Sequence, residues 1–543
     1  MGDYINPSND GFLETLNTGN YRDKTGLISY INSVLETEEY ETCFTRPSRF
    51  GKTTACDMLA AYYSSGCKSR DLFRGLEIER DPTFEDHLNK HPVIYFDLFF
   101  FMRMWTSGKL ENMTMVQYLE SRLVSELAEE YPDAGIDKSM LLPAAMSIVS
   151  KFLKKKKDVE EKSNTHKFIV IIDEWDMVLR EAKDKPAMVK DYIDFLRSIF
   201  RSKETPVYLA GAYMTGILPI IRCNSHSALS DFKERTMLKP LALAKYVGFT
   251  QEDVHAVCMK YGADESLMKA WYDGYSLPGV GEVYCPSSVM EAAKNNDYSS
   301  HWTATASMEA LTDYIYADLD GLAKAMNDLL DGVSVSIDAD SFENRLDQVD
   351  TRDKTLTVLV HLGYLAYDNY SQTVRIPNLE VRLQMLNAFK KSTNKEFFKR
   401  VERCEKILAA VKDMDGETVA EVLKEIHDER PPIHYNDEQA LRYVVLMGFN
   451  NSPRLRFVSF EELSSGKGFA DILFKPQKGT GEIPMLVELK YGASTNKAIN
   501  QIEDKDYIAY LKKDEYHGDV LLVGINYSSA TEKHTCRIDR ITI

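Results

Sequence analysis

Two groups of residues in this 543-residue chain have the types and spacing that phosphate chemistry needs. The first is Thr45-Arg-Pro-Ser-Arg-Phe-Gly-Lys-Thr-Thr54. A strand that enters a tight loop and leaves through Gly-Lys-Thr into a helix can cradle a nucleotide's phosphates on backbone N–H groups. Arg49, Phe50, Gly51 and Thr54 would line that cradle. Lys52 would reach the β- and γ-phosphates, and the Thr53 hydroxyl would face Mg²⁺. One position departs from the full pattern: Arg46 stands where a glycine is expected, five residues before Gly51. The loop alone fits an ordinary strand–helix turn as well as a nucleotide site. Its counterpart is Lys167-Phe-Ile-Val-Ile-Ile-Asp173-Glu174-Trp-Asp176, an apolar run closed by carboxylates. Open α/β sheets place ligands at the carboxyl ends of such strands. This is a Walker B pattern, in which Asp173 holds Mg²⁺ through its water shell and Glu174 polarises the attacking water. The plain alternative is a strand followed by an acidic helix start. Each motif strengthens the other.

The second group lies near the end of the chain, in Gly468-Phe-Ala-Asp471-Ile-Leu-Phe-Lys and Met485-Leu-Val-Glu488-Leu-Lys490. A turn centred on Gly479-Thr480 folds these segments into a hairpin that sets Asp471 opposite Glu488, or within one position of it. Lys490 shares the face of Glu488 because side chains alternate. Facing carboxylates repel, and a bound Mg²⁺ removes that penalty. Asp471 and Glu488 would hold the metal, with Glu438 from the preceding helix as a further ligand or orienting group. Lys490 would activate water and stabilise a pentavalent phosphate. The alternative is a salt-bridged surface hairpin. Downstream, Gln501 and Lys505 are one helical turn apart and, with Tyr507, could support the site.

Composition bounds the rest. The chain is 44% hydrophobic and 27% charged, a globular balance, and long enough for two to four domains. No apolar run approaches a membrane span, and the start shows no basic region followed by an apolar one. Eight cysteines form no Cys-x-x-Cys pair, which predicts a reducing, cytoplasmic setting. The net charge of −17 argues against a protein that coats nucleic acid. Residues 431–543 are nearly neutral, however, with 14 Lys+Arg against 15 Asp+Glu, so a local nucleic-acid contact in the tail stays open. The run from Lys154 to Lys157 reads first as a solvated helix end.

The elements that must position these residues follow from periodicity. Strands are expected at 40–45, 92–98, 167–173 and 206–212, and helices at 53–65, within 109–160 and at 192–200. Thr215, just past the fourth strand, stands where a γ-phosphate sensor would. Arg222 and Arg235 are both open as arginine fingers. In Trp271-Tyr-Asp-Gly-Tyr275 the aromatics suit a packed corner better than a base-stacking site. A helix ending at Gly363 and a hairpin through Thr373-Val-Arg-Ile-Pro suggest a winged-helix unit serving as a packing module. Charged helices over 396–428 end at Pro431-Pro432.

Taken together, these residues resemble a bacterial family of AAA-ATPase-like proteins with a C-terminal PD-(D/E)XK nuclease-superfamily domain. The resemblance also runs through Asp23-Lys-Thr25, Thr215-Gly-Ile-Leu-Pro219, Gly363-Tyr-Leu365 and Ile376-Pro-Asn378. It implies Arg in place of the first glycine as a rule. Where the family often has Asp-Glu-Tyr-Asp and Gly-Lys-Ser, this chain has Asp-Glu-Trp-Asp and Gly-Lys-Thr. The implied fold is α/β, with three parts. Residues 1–245 form a P-loop NTPase domain of AAA type, its parallel sheet carrying an inserted strand between the Walker strands. Residues 246–428 form a helical and winged-helix middle region, and residues 429–543 a restriction-endonuclease-like domain. The implied activity is ATP binding and hydrolysis that gates or powers a Mg²⁺-dependent nuclease, on DNA ahead of RNA, in defence against phage or mobile DNA. A homo-oligomer is implied, since ATPases of this class often use a neighbour's arginine. The rival reading is a nucleotide-regulated switch or scaffold whose nuclease-like domain binds nucleic acid or protein without cutting.

Overall fold

The computed structural model describes residues 2–110, 113–156, 165–220, 229, 231–302, 319–343, 345–389, 395–429, 438–450, 456–465, 468–477, 480–504, 507–513 and 516–543. Lys157, Arg222, Pro431-Pro432, Gly479 and Lys505 lie outside the described residues. Contacts divide the chain into two units, Met1–Leu311 with Ser336–Pro377, and Thr312–Val335 with Asn378–Ile543. Among the described residues no helix is long and apolar enough to cross a membrane.

The first unit opens with helices α1 (Asp10–Asn17) and α2 (Gly26–Val34) and strand β1 (Glu41–Thr45). The phosphate-loop candidate joins β1 to α3 (Lys52–Tyr63). Strand β2 (Val93–Asp97) leads to helices α4 (Leu98–Thr106), α5 (Met115–Glu130) and α6 (Leu142–Lys156). Then come β3 (Phe168–Asp173), α7 (Met177–Glu181), α8 (Pro186–Phe200), β4 (Leu209–Gly216) and β5 (Lys233–Arg235). These strands form a five-stranded sheet in the order β2-β3-β4-β1-β5, parallel throughout. Strand β4 is thus inserted between the loop strand and the acidic strand. It starts later than the expected Pro206, because Thr205–Tyr208 is a helical turn that takes the proline at its start, where a missing N–H costs nothing.

All six residues of β3 are buried, as expected of a strand covered on both faces. Its core partners include Ile94 and Phe96 of β2, Met214 of β4 and Leu196 of α8. The register brings the chemistry to one edge. Asp97 of β2 pairs with Asp173 of β3, and Phe44 of β1 pairs with Thr215 of β4.

Other parts of the first unit meet the phosphate-loop candidate, with Tyr275 on Phe50 and Gly363 beside Pro47. Strands β6 (Phe249–Thr250), β7 (Tyr275–Leu277) and β8 (Gly281–Tyr284) form a small antiparallel sheet in the order β6-β8-β7. Helices α9 (Gln251–Tyr261), α10 (Glu265–Tyr272) and α11 (Pro286–Asn295) accompany it. Trp271, Tyr272 and Tyr275 are buried, so this motif is a packed corner. The Tyr275 ring meets Phe50 edge-on at 5.5 Å, and its hydroxyl donates to the Gly363 carbonyl at 2.5 Å. Helix α12 (Arg352–Leu362) ends at Gly363 with φ +87. The expected hairpin follows as β9 (Ala366–Asp368) and β10 (Thr373–Arg375).

In the second unit, α13 (Lys395–Lys412), α14 (Gly416–Asp428) and α15 (Glu438–Phe449) precede strands β11 (Phe457–Ser465), β12 (Gly468–Pro476) and β13 (Met485–Tyr491). Helix α16 (Thr495–Asp504) then leads to β14 (Asp519–Ser528) and β15 (Lys533–Thr542). The five strands lie side by side in chain order. Pairing is antiparallel for β11–β12, β12–β13 and β14–β15, and parallel for β13–β14. The parallel step is the one bridged by α16, since parallel neighbours need a crossover. Helices α13 and α14, grouped on sequence with the middle region, bury Ile407, Val411, Val422 and Leu423 in the same core as Ile472, Phe474, Val487 and Leu489.

Gly363 couples packing to the phosphate-loop candidate. A Cβ there would stand 2.7 Å from Pro47 and 2.8 Å from Trp302, at a φ that L-residues resist. Gly363→Ala should cost about 2–3 kcal/mol, read by urea denaturation, and should weaken nucleotide binding by pressing on the loop. Gly279→Ala, at φ +79 with nothing within 4 Å, should cost only about 1 kcal/mol and leave binding unchanged.

Candidate functional site

The site grows from the carboxyl ends of β1, β3 and β4. Gly51 enters α3 with φ +90, the backbone turn that glycine supplies without strain. The Thr53 hydroxyl donates to Asp173 Oδ2 at 2.6 Å, closing a contact between residues 120 apart in sequence. Lys52 is buried, donates to the Pro47 carbonyl at 3.2 Å and lies 3.4 Å from Glu174 Oε1. Burial pushes the Asp173 carboxyl up to about 7, against the Thr53 hydrogen bond and Lys52 and with help from Glu174 and Asp97. Burial likewise raises Asp97.

Glu174 adopts φ +51, a left-handed conformation uncommon outside glycine. The following residues lock this turn to β4. Trp175 N–H donates to the Thr215 carbonyl at 2.9 Å, and Trp175 Nε1 to the Leu218 carbonyl at 3.2 Å. Asp176 is fully buried and accepts from the N–H groups of Ile217 and Leu218, at 3.2 and 2.8 Å. The Thr215 hydroxyl is buried without a hydrogen-bond partner among the described residues. That suits a sensor, which keeps its hydroxyl for a ligand. Phe50 is buried under Tyr275. Arg49, at φ +68, donates to the His301 carbonyl at 2.9 Å. Thr54 follows in the first turn of α3.

Arg46 does not point into the cradle. Its guanidinium stacks on Phe44 at 4.5 Å and donates to the carbonyls of Thr45 and Arg235 at 2.8 and 3.3 Å. Burial lowers its pKa to about 9. Arg235 lies in β5 with its side chain on Tyr30 and the Glu234 carbonyl. Lys24 is an ion-pair residue, 2.5 Å from Asp253.

One cation absent from the sequence reading is Arg180 of α7. It binds Glu174 Oε2 at 2.5 Å and Asp176 Oδ2 at 2.9 Å. The available signal was its spacing, four residues after Asp176 and therefore on the same helix face.

The tail residues converge as hairpin geometry predicts. Ile472 pairs with Val487, so Asp471 faces Glu488 one step further along. Lys490 Nζ lies 2.9 Å from Glu488 and 3.7 Å from Glu438. Asp471 Oδ2 accepts from the Leu489 N–H at 2.7 Å. Burial opposes the Lys490 charge, yet Glu488, Glu438 and Asp471 together raise its pKa. Glu488 is almost completely buried. Arg442, missed on sequence, sits one turn after Glu438 on α15 and approaches Asp471 Oδ1 at 3.3 Å. Gln501 donates to the Tyr507 hydroxyl at 3.2 Å, and Tyr507 is buried in the layer of Ile499, Ile502 and Leu511.

The two places differ in fit to Mg²⁺. Thr53 and Asp173 present a hydroxyl and a buried carboxylate oxygen 2.6 Å apart, the oxygen donors this ion prefers. In the tail the donors are of the right type, but the Lys490 and Arg442 cations already lie against the carboxylates. Among the described residues no group of three His, Cys, Asp or Glu side chains is placed to hold a metal ion.

Residues 13–224 match the model of a family described as "AAA-ATPase_like: Predicted AAA-ATPase". The matched segment runs from α1 past β4 and contains Lys52, Thr53, Asp173, Glu174 and Thr215. No curated protein matches the chain.

The raised Asp173 pKa sets the sign of a pH effect. The folded chain keeps a proton on Asp173 up to about pH 7, whereas an unfolded Asp releases it near pH ~4. The resulting stability is present below pH ~4 and is lost as pH rises towards 7. Asp173→Asn should therefore stabilise the protein at pH 7, by up to about 4 kcal/mol, and flatten the pH 4–7 slope in urea melts.

Proposed function

We propose that the first unit binds ATP with Mg²⁺ and hydrolyses it. The observation that carries this reading is the 2.6 Å bond between Thr53 and Asp173, which puts a Gly-Lys-Thr helix start against an acidic strand end. Lys52 contacts the β- and γ-phosphates, and the backbone N–H groups around Arg49, Phe50, Gly51 and Thr54 cradle them. Thr53 and Asp173 hold Mg²⁺, which neutralises charge on the phosphate oxygens. Glu174 accepts a proton from the attacking water, and Thr215 contacts the γ-phosphate. The match of residues 13–224 supports this reading.

We further propose that nucleotide turnover gates or powers a Mg²⁺-dependent phosphodiesterase in the second unit, acting on DNA ahead of RNA, in defence against phage or mobile DNA. The support is the pairing of Asp471 with Glu488 and Lys490 on β12 and β13, beside Glu438. Three adjacent strands with antiparallel pairing and a parallel fourth reached through a helix suit a restriction-endonuclease-like fold. Asp471 and Glu488 supply the metal's ligands, and Lys490 stabilises charge on the phosphate. The rival is a nucleotide-regulated scaffold that binds without cutting. It is favoured by one observation, the neutralisation of these carboxylates by Lys490 and Arg442.

A cleavage and ATPase assay with purified full chain separates these readings. Lys52→Ala should abolish nucleotide binding and, with it, ATP-dependent cleavage. Glu174→Gln should retain binding and lose turnover by about 10²-fold or more. Asp471→Ala should abolish cleavage of plasmid or single-stranded DNA and leave ATP turnover intact. Absence of cleavage on any DNA or RNA, with ATP binding preserved, selects the scaffold.

A further inference from the structure

The Glu174 carboxylate carries a cation on each oxygen. Lys52 Nζ lies 3.4 Å from Oε1, and Arg180 Nη2 lies 2.5 Å from Oε2. Only Lys52 belongs to the phosphate-loop pattern. Arg180 is nine-tenths buried and is anchored a second time, through Nε to Asp176 Oδ2 at 2.9 Å. Asp176 in turn accepts from the Ile217 and Leu218 N–H groups. A continuous set of bonds therefore runs from the segment after Thr215, through Asp176 and Arg180, to Glu174. The backbone at Glu174 is left-handed, φ +51, and a residue in that region persists only when its surroundings determine it. Arg180 supplies that determination from the side-chain end.

We propose that Arg180 is a positioning residue for ATP hydrolysis. It holds Glu174 by Oε2 so that Oε1 is the oxygen presented on the Lys52 side, and it ties this orientation to the segment after β4. The proposal rests on the reading of Glu174 as the group that accepts a proton from water. When Lys52 turns to the nucleotide's phosphates, Oε1 gives up its ammonium and is free to accept, while the bond from Arg180 to Oε2 persists. The water oxygen bonds to the γ-phosphorus as the bond to the β-phosphate oxygen breaks. The water's proton passes to Oε1, and ADP leaves with the bonding electrons. Arg180 touches neither water nor phosphate in this step. Its charge and fork geometry, matched to two carboxylates, set where the accepting oxygen stands.

The test is steady-state ATP hydrolysis by the full chain, with nucleotide affinity and the thermal midpoint measured on the same samples. Wild type is first compared with Lys52→Ala. Equal turnover in the two overturns the ATPase reading, and the role of Arg180 falls with it. Once turnover by the wild type is established, Arg180→Ala should lower kcat about tenfold to a hundredfold, with KM and nucleotide affinity within about threefold of wild type. Arg180→Lys, which restores the charge without the fork, should recover part of the loss. Unchanged or faster hydrolysis by Arg180→Ala overturns this proposal alone. So does a joint fall of kcat, nucleotide affinity and thermal midpoint in both variants, which would make Arg180 a structural brace.

Discussion

A carboxylate buried at the end of an apolar strand is the constraint around which the first unit is built. Strand β3 delivers Asp173 into the interior, and desolvation pushes its carboxyl up to about 7. The fold compensates from a distant part of the chain, with the Thr53 hydroxyl at 2.6 Å. For that bond to form, β1 must end level with β3, although β4 lies between them. A one-residue slip in either ladder would turn the reacting side chains to the opposite face of the sheet. Asp97 paired with Asp173, and Phe44 paired with Thr215, fix the same edge twice over. Asp176 shows how a second buried acid is accommodated, through two backbone N–H groups and Arg180.

Much of this edge was legible from residue order because its determinants are local. A run of β-branched residues closed by two acids, and a loop closed by Gly-Lys-Thr, each specify a strand end and a helix start. Strand insertion between β1 and β3 was what the family resemblance implied, and the Asp471–Glu488 register came from counting outward from a turn. The sites' other cations were hidden for a physical reason. Arg180 and Arg442 look like ordinary helix-surface arginines, and their targets are set by tertiary packing. Their only sequence trace is the spacing to Asp176 and to Glu438. The grouping of α13 and α14 was equally unreadable, since an amphipathic helix declares that it has an apolar face but not which core receives it.

Arg46 illustrates a residue whose identity misleads until its direction is known. A missing glycine in a phosphate loop suggests a damaged cradle. Here the long side chain leaves the loop on the far side, over Phe44, and reaches the carbonyl of Arg235 in β5. Its burial lowers the pKa to about 9, so the position carries a real electrostatic cost. What it provides is a tie between the loop and the edge strand. Cover on the loop comes from elsewhere in the unit, where Tyr275 packs on Phe50 and Gly363 lies beside Pro47.

The two carboxylate sites, though built on different sheets, offset their charge in the same way. In each, one lysine and one arginine lie against the acids: Lys52 and Arg180 at Glu174, with Arg180 also on Asp176, and Lys490 and Arg442 at Glu488 and Asp471. Acids gathered in a low-dielectric interior would repel one another and resist folding if left alone. Cations drawn from the same chain offset much of that repulsion. They would also impose an order on ligand entry. An incoming ligand must compete for oxygens already held, so the lysine, on its long flexible stem, is the partner that can yield, and the arginine, fixed by its planar fork, is the one that stays. In the first unit that division would leave Glu174 with Oε2 held by Arg180 and Oε1, held here by Lys52, released once the lysine turned to a ligand.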